Sequence, residues 1–71
     1  MVFSERLKHL RKSRNFTQKQ IAETIKITER GMRRLESGEN PNYNTLIALA
    51  DFFDVSLDYL VGRSDNPNKH E

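Results

Sequence analysis

The stretch that decides the fold is Phe16-Thr17-Gln18-Lys19-Gln20-Ile21-Ala22-Glu23-Thr24-Ile25-Lys26-Ile27-Thr28-Glu29-Arg30-Gly31-Met32-Arg33-Arg34-Leu35-Glu36-Ser37-Gly38. It carries one local pattern twice. Phe16-Thr17 precedes Ile21, and Ile27-Thr28 precedes Met32. An apolar residue, a hydroxyl and an apolar residue four further on make a hydrophobic staple around a capped helix start. The hydroxyl accepts from an otherwise unpaired N–H of the first turn, and the apolar pair sets the angle at which the chain enters the helix. Gln20, three after Thr17, completes a capping box. Two short helices are thus predicted, joined by little more than Lys26-Ile27. So short a connection makes a sharp corner, the geometry of a helix-turn-helix. Ala22 is small where the two helices must lie close.

Outward from this stretch the same grammar continues. Val55-Ser56 before Leu60 repeats the staple and cap, and Asn42 after Pro41 is a further N-cap. Apolar residues recur at helical spacing in Phe3, Leu7 and Leu10, in Leu46, Leu49, Ala50 and Phe53, and in Leu57, Leu60 and Val61. No segment alternates with a period of two. Stops are read at Ser13-Arg14-Asn15, at Ser37-Gly38 with Gly38 in the left-handed C′ position, at Phe53-Asp54 and at Gly62. The expectation is an all-α domain over residues 1–63 with helices near 3–14, 18–25, 29–37, 43–53 and 57–61. The polar tail 64–71 lacks an apolar anchor and is expected to be disordered. Met32, Leu35, Leu46 and Phe53 are assigned to the core.

The 71 residues suffice for one domain with a modest core. There is no cysteine, so disulfides and thiolate metal sites are excluded. No apolar run suits a membrane span or a signal peptide, and a cytoplasmic protein is expected. The net charge of +2 conceals a segregation. Residues 1–34 hold ten Lys/Arg against three acids, a net +7, whereas residues 35–71 hold two against seven, a net −5. A basic front and an acidic back suit a polyanionic partner. His9 and His70 are too far apart in sequence, and too few without cysteine, to make a zinc site. Asp51, Asp54 and Asp58 read as a solvated acidic surface. With no Ser–His–Asp set and no phosphate-cradling glycine loop, neither enzyme activity nor a cofactor is expected.

The stretch Thr17–Glu23 followed by Ile27–Gly38 resembles the motif of phage repressor and Cro type, Xre-like, transcriptional regulators. Thr45–Gly62 is similar to their last two helices, so the likeness runs from Phe3 to Arg63. It implies a five-helix, lambda-repressor-like domain whose third helix enters the major groove of an operator. Carried over by position, Thr28, Glu29, Arg30, Arg33 and Arg34 face bases, while Gln18, Asn40 and Asn42 face phosphates. Arg11 and Glu36 match a structural salt bridge. Lys19, beside Gln18 at the start of the second helix, joins the phosphate set. The chemistry agrees: a helix N-terminus favours phosphate, arginine bonds guanine bidentately and glutamate accepts from cytosine N4. Two departures stand out. Lys26 occupies a turn position where glycine is usual, which requires positive φ. Gly31 lies within the recognition helix at a cost of about 1 kcal/mol relative to alanine; it either admits close backbone approach or is merely tolerated.

The resulting expectation is a sequence-specific regulator, most simply a Cro-like repressor of bacterial or phage origin acting on the nucleoid. A weak homodimer on a pseudo-palindromic site is expected, meeting near Asn40–Tyr43 and the fifth helix, where Tyr59 and Val61 expose apolar area. An antitoxin-like protein-interaction module with secondary DNA binding is the alternative, and a bundle without a nucleic-acid role is a third reading that leaves the charge segregation unexplained.

Overall fold

Hydroxyl and amide caps start four of the five helices. In the computed structural model, which describes residues 2–68, the order is α1 (Val2–Ser13), α2 (Gln18–Ile25), α3 (Glu29–Glu36), α4 (Tyr43–Phe53) and α5 (Leu57–Leu60). No strand occurs among the described residues. Thr17 Oγ1 accepts from Gln20 N–H at 3.0 Å while Gln20 Oε1 accepts from Thr17 N–H at 2.8 Å, so the capping box is closed. Thr28 Oγ1 accepts from Gly31 N–H, Asn42 Oδ1 from Thr45 N–H and Ser56 Oγ from Tyr59 N–H. Each cap fills one donor left unpaired by the first helical turn. Every helix lies within one residue of its predicted bounds at each end.

The helices close around one core. Phe53, Leu7, Ile21, Met32, Leu49, Leu60 and Val55 are the large side chains fully removed from solvent, and Ala22 is 2 % exposed where α2 and α3 pack. Leu46, assigned to the core from its spacing, is only half-buried and packs against the core's edge. Lys26 closes α2 in the left-handed conformation, φ 65°, as the corner demands without glycine. Gly38 has φ 114° just past α3.

Part of the tail is described, and it contacts the helices. Ser56 N–H donates to Pro67 O at 3.0 Å. Arg6 Nη1 donates to the carbonyls of Tyr59 and Ser64 at 2.8 and 3.0 Å, and its guanidinium stacks 4.2 Å above the Tyr59 ring. Residues 64–68 are therefore held against α1 and α5 by main-chain polar groups, an anchor that apolar patterning does not reveal. Residues 69–71, including His70 and Lys69, lie outside the described residues.

Candidate nucleic-acid interface

The cap at Thr28 fixes the start of α3, and the sequence after it fixes what α3 shows to solvent. Met32 and Leu35 point into the core, so Glu29, Arg30, Arg33 and Arg34 are exposed. Arg33 Nη1 lies 3.6 Å from Glu29 Oε2, one turn away, with both side chains about half exposed. Such a pair adds little stability; it steadies the Arg33 guanidinium. The side chains of Arg30 and Arg34 have no hydrogen-bond or ion-pair partner among the described residues. Thr28 is exposed beside them, its hydroxyl oxygen accepting as the cap. Gly31 has a local reason. A Cβ there would meet Thr28 Oγ1 at 3.1 Å, crowding the oxygen that caps the helix.

Behind α3 sits a polar network centred on Glu36, whose side chain is 3 % exposed. Arg11 Nε donates to Glu36 Oε2 at 2.6 Å and Arg11 Nη2 to Oε1 at 3.1 Å, a bidentate charge-assisted pair. Arg11 Nη1 also donates to Phe16 O at 3.1 Å. The hydrogen bond that Arg11 donates to Glu36 raises the Arg11 pKa above its ordinary value; desolvation opposes this, and the carboxylate's charge adds to it. Gln18 Nε2 donates to Glu36 Oε1 at 3.0 Å. Gln18, expected to face a phosphate, is also tied inward. Its amide nitrogen keeps a second N–H, and its backbone N–H stands at the start of α2. No sequence pattern announced this contact, which joins residues eighteen apart on different helices.

The remaining predicted residues flank this centre. Lys19 is exposed at the first turn of α2, without a side-chain partner among the described residues. Asn40 and Asn42 are exposed in the loop after α3, with Asn42 Oδ1 engaged as the α4 cap and its amide N–H₂ left over. Three cations of the basic front half are engaged by the fold instead. Arg6 holds the tail, Arg11 holds Glu36, and Arg14 Nη1 donates to Phe53 O at 2.8 Å at the end of α4. The +7 of the sequence therefore overstates what is available to a partner.

A helix pair set at a tight left-handed corner, with the second helix presenting arginines and the first its N-terminus, is the architecture of known DNA readers. A family model described as a helix-turn-helix domain matches residues 4–65. The chain belongs to that family. Among curated relatives, it is 41 % identical over 66 residues to the HTH-type transcriptional regulator YqaE of Bacillus subtilis, covering 92 % of this chain and 57 % of that protein. It is 41 % identical over 64 residues to the cryptic phage CTXphi transcriptional repressor RstR of Vibrio cholerae, covering 89 % of this chain and 57 % of that one. It is 37 % identical over 62 residues to the HTH-type transcriptional activator BcrR of Enterococcus faecalis, covering 86 % and 30 % respectively. The chain thus spans little more than half the length of the first two. No solved structure matches it. The resemblance to repressor-type regulators is borne out by these matches. No helix among the described residues is long and apolar enough to cross a membrane.

Proposed function

We propose that this helix-turn-helix chain reads double-stranded DNA sequence-specifically as a transcriptional regulator, most simply a Cro-like repressor acting in the cytoplasm on the nucleoid. The observation that carries this is the contrast between two groups of arginine. Arg6, Arg11 and Arg14 are engaged within the fold, whereas Arg30 and Arg34 project from a capped helix with no partner among the described residues. Unpaired arginines one turn apart suit guanine edges in the major groove. Glu29 penalises phosphate on the same face, which favours base readout over non-specific adhesion. Thr28, Glu29, Arg30, Arg33 and Arg34 are assigned to bases, and Gln18, Lys19, Asn40 and Asn42 to phosphates. The operator is pseudo-palindromic and bound by two copies. That one relative is named a repressor and another an activator leaves the family's DNA reading common to both.

Gel-shift titrations at several salt concentrations test the reading. Binding to a selected duplex is expected to weaken with a log–log slope of about −0.9 per neutralised phosphate, and a scrambled duplex to bind far more weakly. Equal affinity for both duplexes would sink the proposal.

A further inference from the structure

Beside the arginine face of α3 lies a recess of about 310 Å³ between α1, the start of α2 and the end of α3. Its lining holds four cations, Lys8, Arg11, Lys12 and Arg33, and one carboxylate, Glu36. The carboxylate offsets only Arg11, to which it is bonded, and Arg33 lies near Glu29, so the uncompensated cations of the recess are Lys8 and Lys12. Lys8 and Lys12 stand one turn apart on α1, both exposed, with no side-chain partner among the described residues. Like charges at that spacing repel, and an anion between them relieves the repulsion. Gln18 brings the positive end of the α2 dipole to the same recess. Arg33 and Ser37 also line the neighbouring surface that holds Arg30 and Arg34. The recess is therefore continuous with the base-reading face rather than remote from it.

We propose that this recess binds a backbone phosphate of the DNA, with Lys8 and Lys12 of α1 as its principal ligands. The proposal rests on the DNA-reading role assigned above and extends the footprint from the helix pair onto α1. Continuity with the arginine face points to the phosphodiester of a duplex already held by α3, not to a free anion. Lys8 and Lys12 fix register on the backbone and carry no base preference, as phosphate contacts do in general.

The test compares Lys8→Gln, Lys12→Gln and the double variant with the wild-type chain, and with Arg63→Gln beyond α5 as a control that matches each single variant in charge. Both lysines are exposed, and thermal melts of the variants serve as the check on folding. On a selected duplex the double variant is expected to show a salt slope shallower by about 1, with the ranking of single-base operator variants unchanged. Arg63→Gln is expected to leave the slope as it was. A single neutral methylphosphonate at the contacted backbone position should weaken the wild-type chain and leave the double variant's affinity unaltered. A wild-type slope in the double variant, or a loss no larger than that of Arg63→Gln, would overturn the recess while leaving α3 readout standing. A wild-type chain that does not distinguish selected from scrambled duplex would instead defeat the regulator reading, and the slopes would still judge the recess.

Discussion

Glu36 accepts three hydrogen bonds from two side chains while almost wholly withdrawn from solvent. Its partner Arg11 keeps 14 % exposure and a second acceptor in Phe16 O. Removing the two residues should therefore be unequal. Arg11→Met strands a buried carboxylate with Gln18 alone, at a cost of about 3–5 kcal/mol, which for a domain of this size is a melting-temperature drop of about 12 °C or more. Glu36→Leu leaves a guanidinium that can still reach a carbonyl and water, and should cost less. The double variant should fall short of the sum, since neither charge is then stranded. Equal melts for wild type and Arg11→Met would show the pair to be immaterial. Because the Arg11 pKa is raised on folding, its contribution is complete below the ordinary arginine value and fades only as pH climbs through the higher folded one. Alkaline unfolding at lower pH would have to start elsewhere. On α3, Arg30→Ala and Arg34→Ala should each cost about 1–3 kcal/mol on a preferred site and shift base preference. Gln18→Ala should weaken all sites alike and also lower the melting temperature, because it releases Glu36. A panel of single-base operator variants separates these; a change of base preference in Gln18→Ala alone would reverse the assignment.

Helix starts were legible because each is written in adjacent residues: Thr17, Thr28, Asn42 and Ser56 bond an N–H three positions on. The stops were harder where chemistry and conformation disagree. Asn15, Lys26 and Asp54 all take positive φ without being glycine. Asparagine and aspartate adopt that region readily, lysine less so. Lys26→Gly should relieve strain at the corner between α2 and α3, and even after the extra freedom of the unfolded chain it should raise stability by up to about 1 kcal/mol. Lys26→Val, branched at Cβ in the same conformation, should lower it. Chemical denaturation of both variants checks this, and a loss in Lys26→Gly would mean that lysine is not strained there. What no local pattern could show is the placement of Arg6 and Arg14. Their acceptors lie 39 to 58 residues away, and a charge count treats them as surface cations. The contacts of residues 64–68 are equally invisible to side-chain hydrophobicity, since they run through backbone carbonyls, the Ser56 N–H and the Arg6–Asp65 pair.

On the proposed reading, one α3 contacts too few base pairs to single out a site in a genome, and a second copy is expected to supply the rest. Two copies related by a two-fold axis place their recognition helices one DNA turn apart, about 34–36 Å. The domain measures 33 × 22 × 20 Å, so copies at that separation touch only at their margins. A contact of that kind is expected to be smaller than a standard stable interface of about 1,600 Å², and pairing to be driven chiefly by the shared duplex. Exposure favours one candidate margin for such a pairing over another. Tyr59, expected to lend apolar area, is half-buried under the Arg6 guanidinium. Tyr43 is 68 % exposed at the start of α4, directly after Asn40–Asn42. An exposed tyrosine buries a ring while keeping its hydroxyl wet, which suits a small polar contact. Tyr43→Ala should leave affinity for a single half-site unchanged and weaken binding to the full site. Sedimentation should find two chains per selected duplex at saturation and one species, the monomer, without DNA at micromolar concentration. Inserting roughly half a helical turn, about 5 base pairs, between the half-sites should abolish the cooperative gain, because the two copies then sit on opposite faces of the duplex. One chain per duplex at saturation, on a site lacking two-fold symmetry, would rule the paired arrangement out.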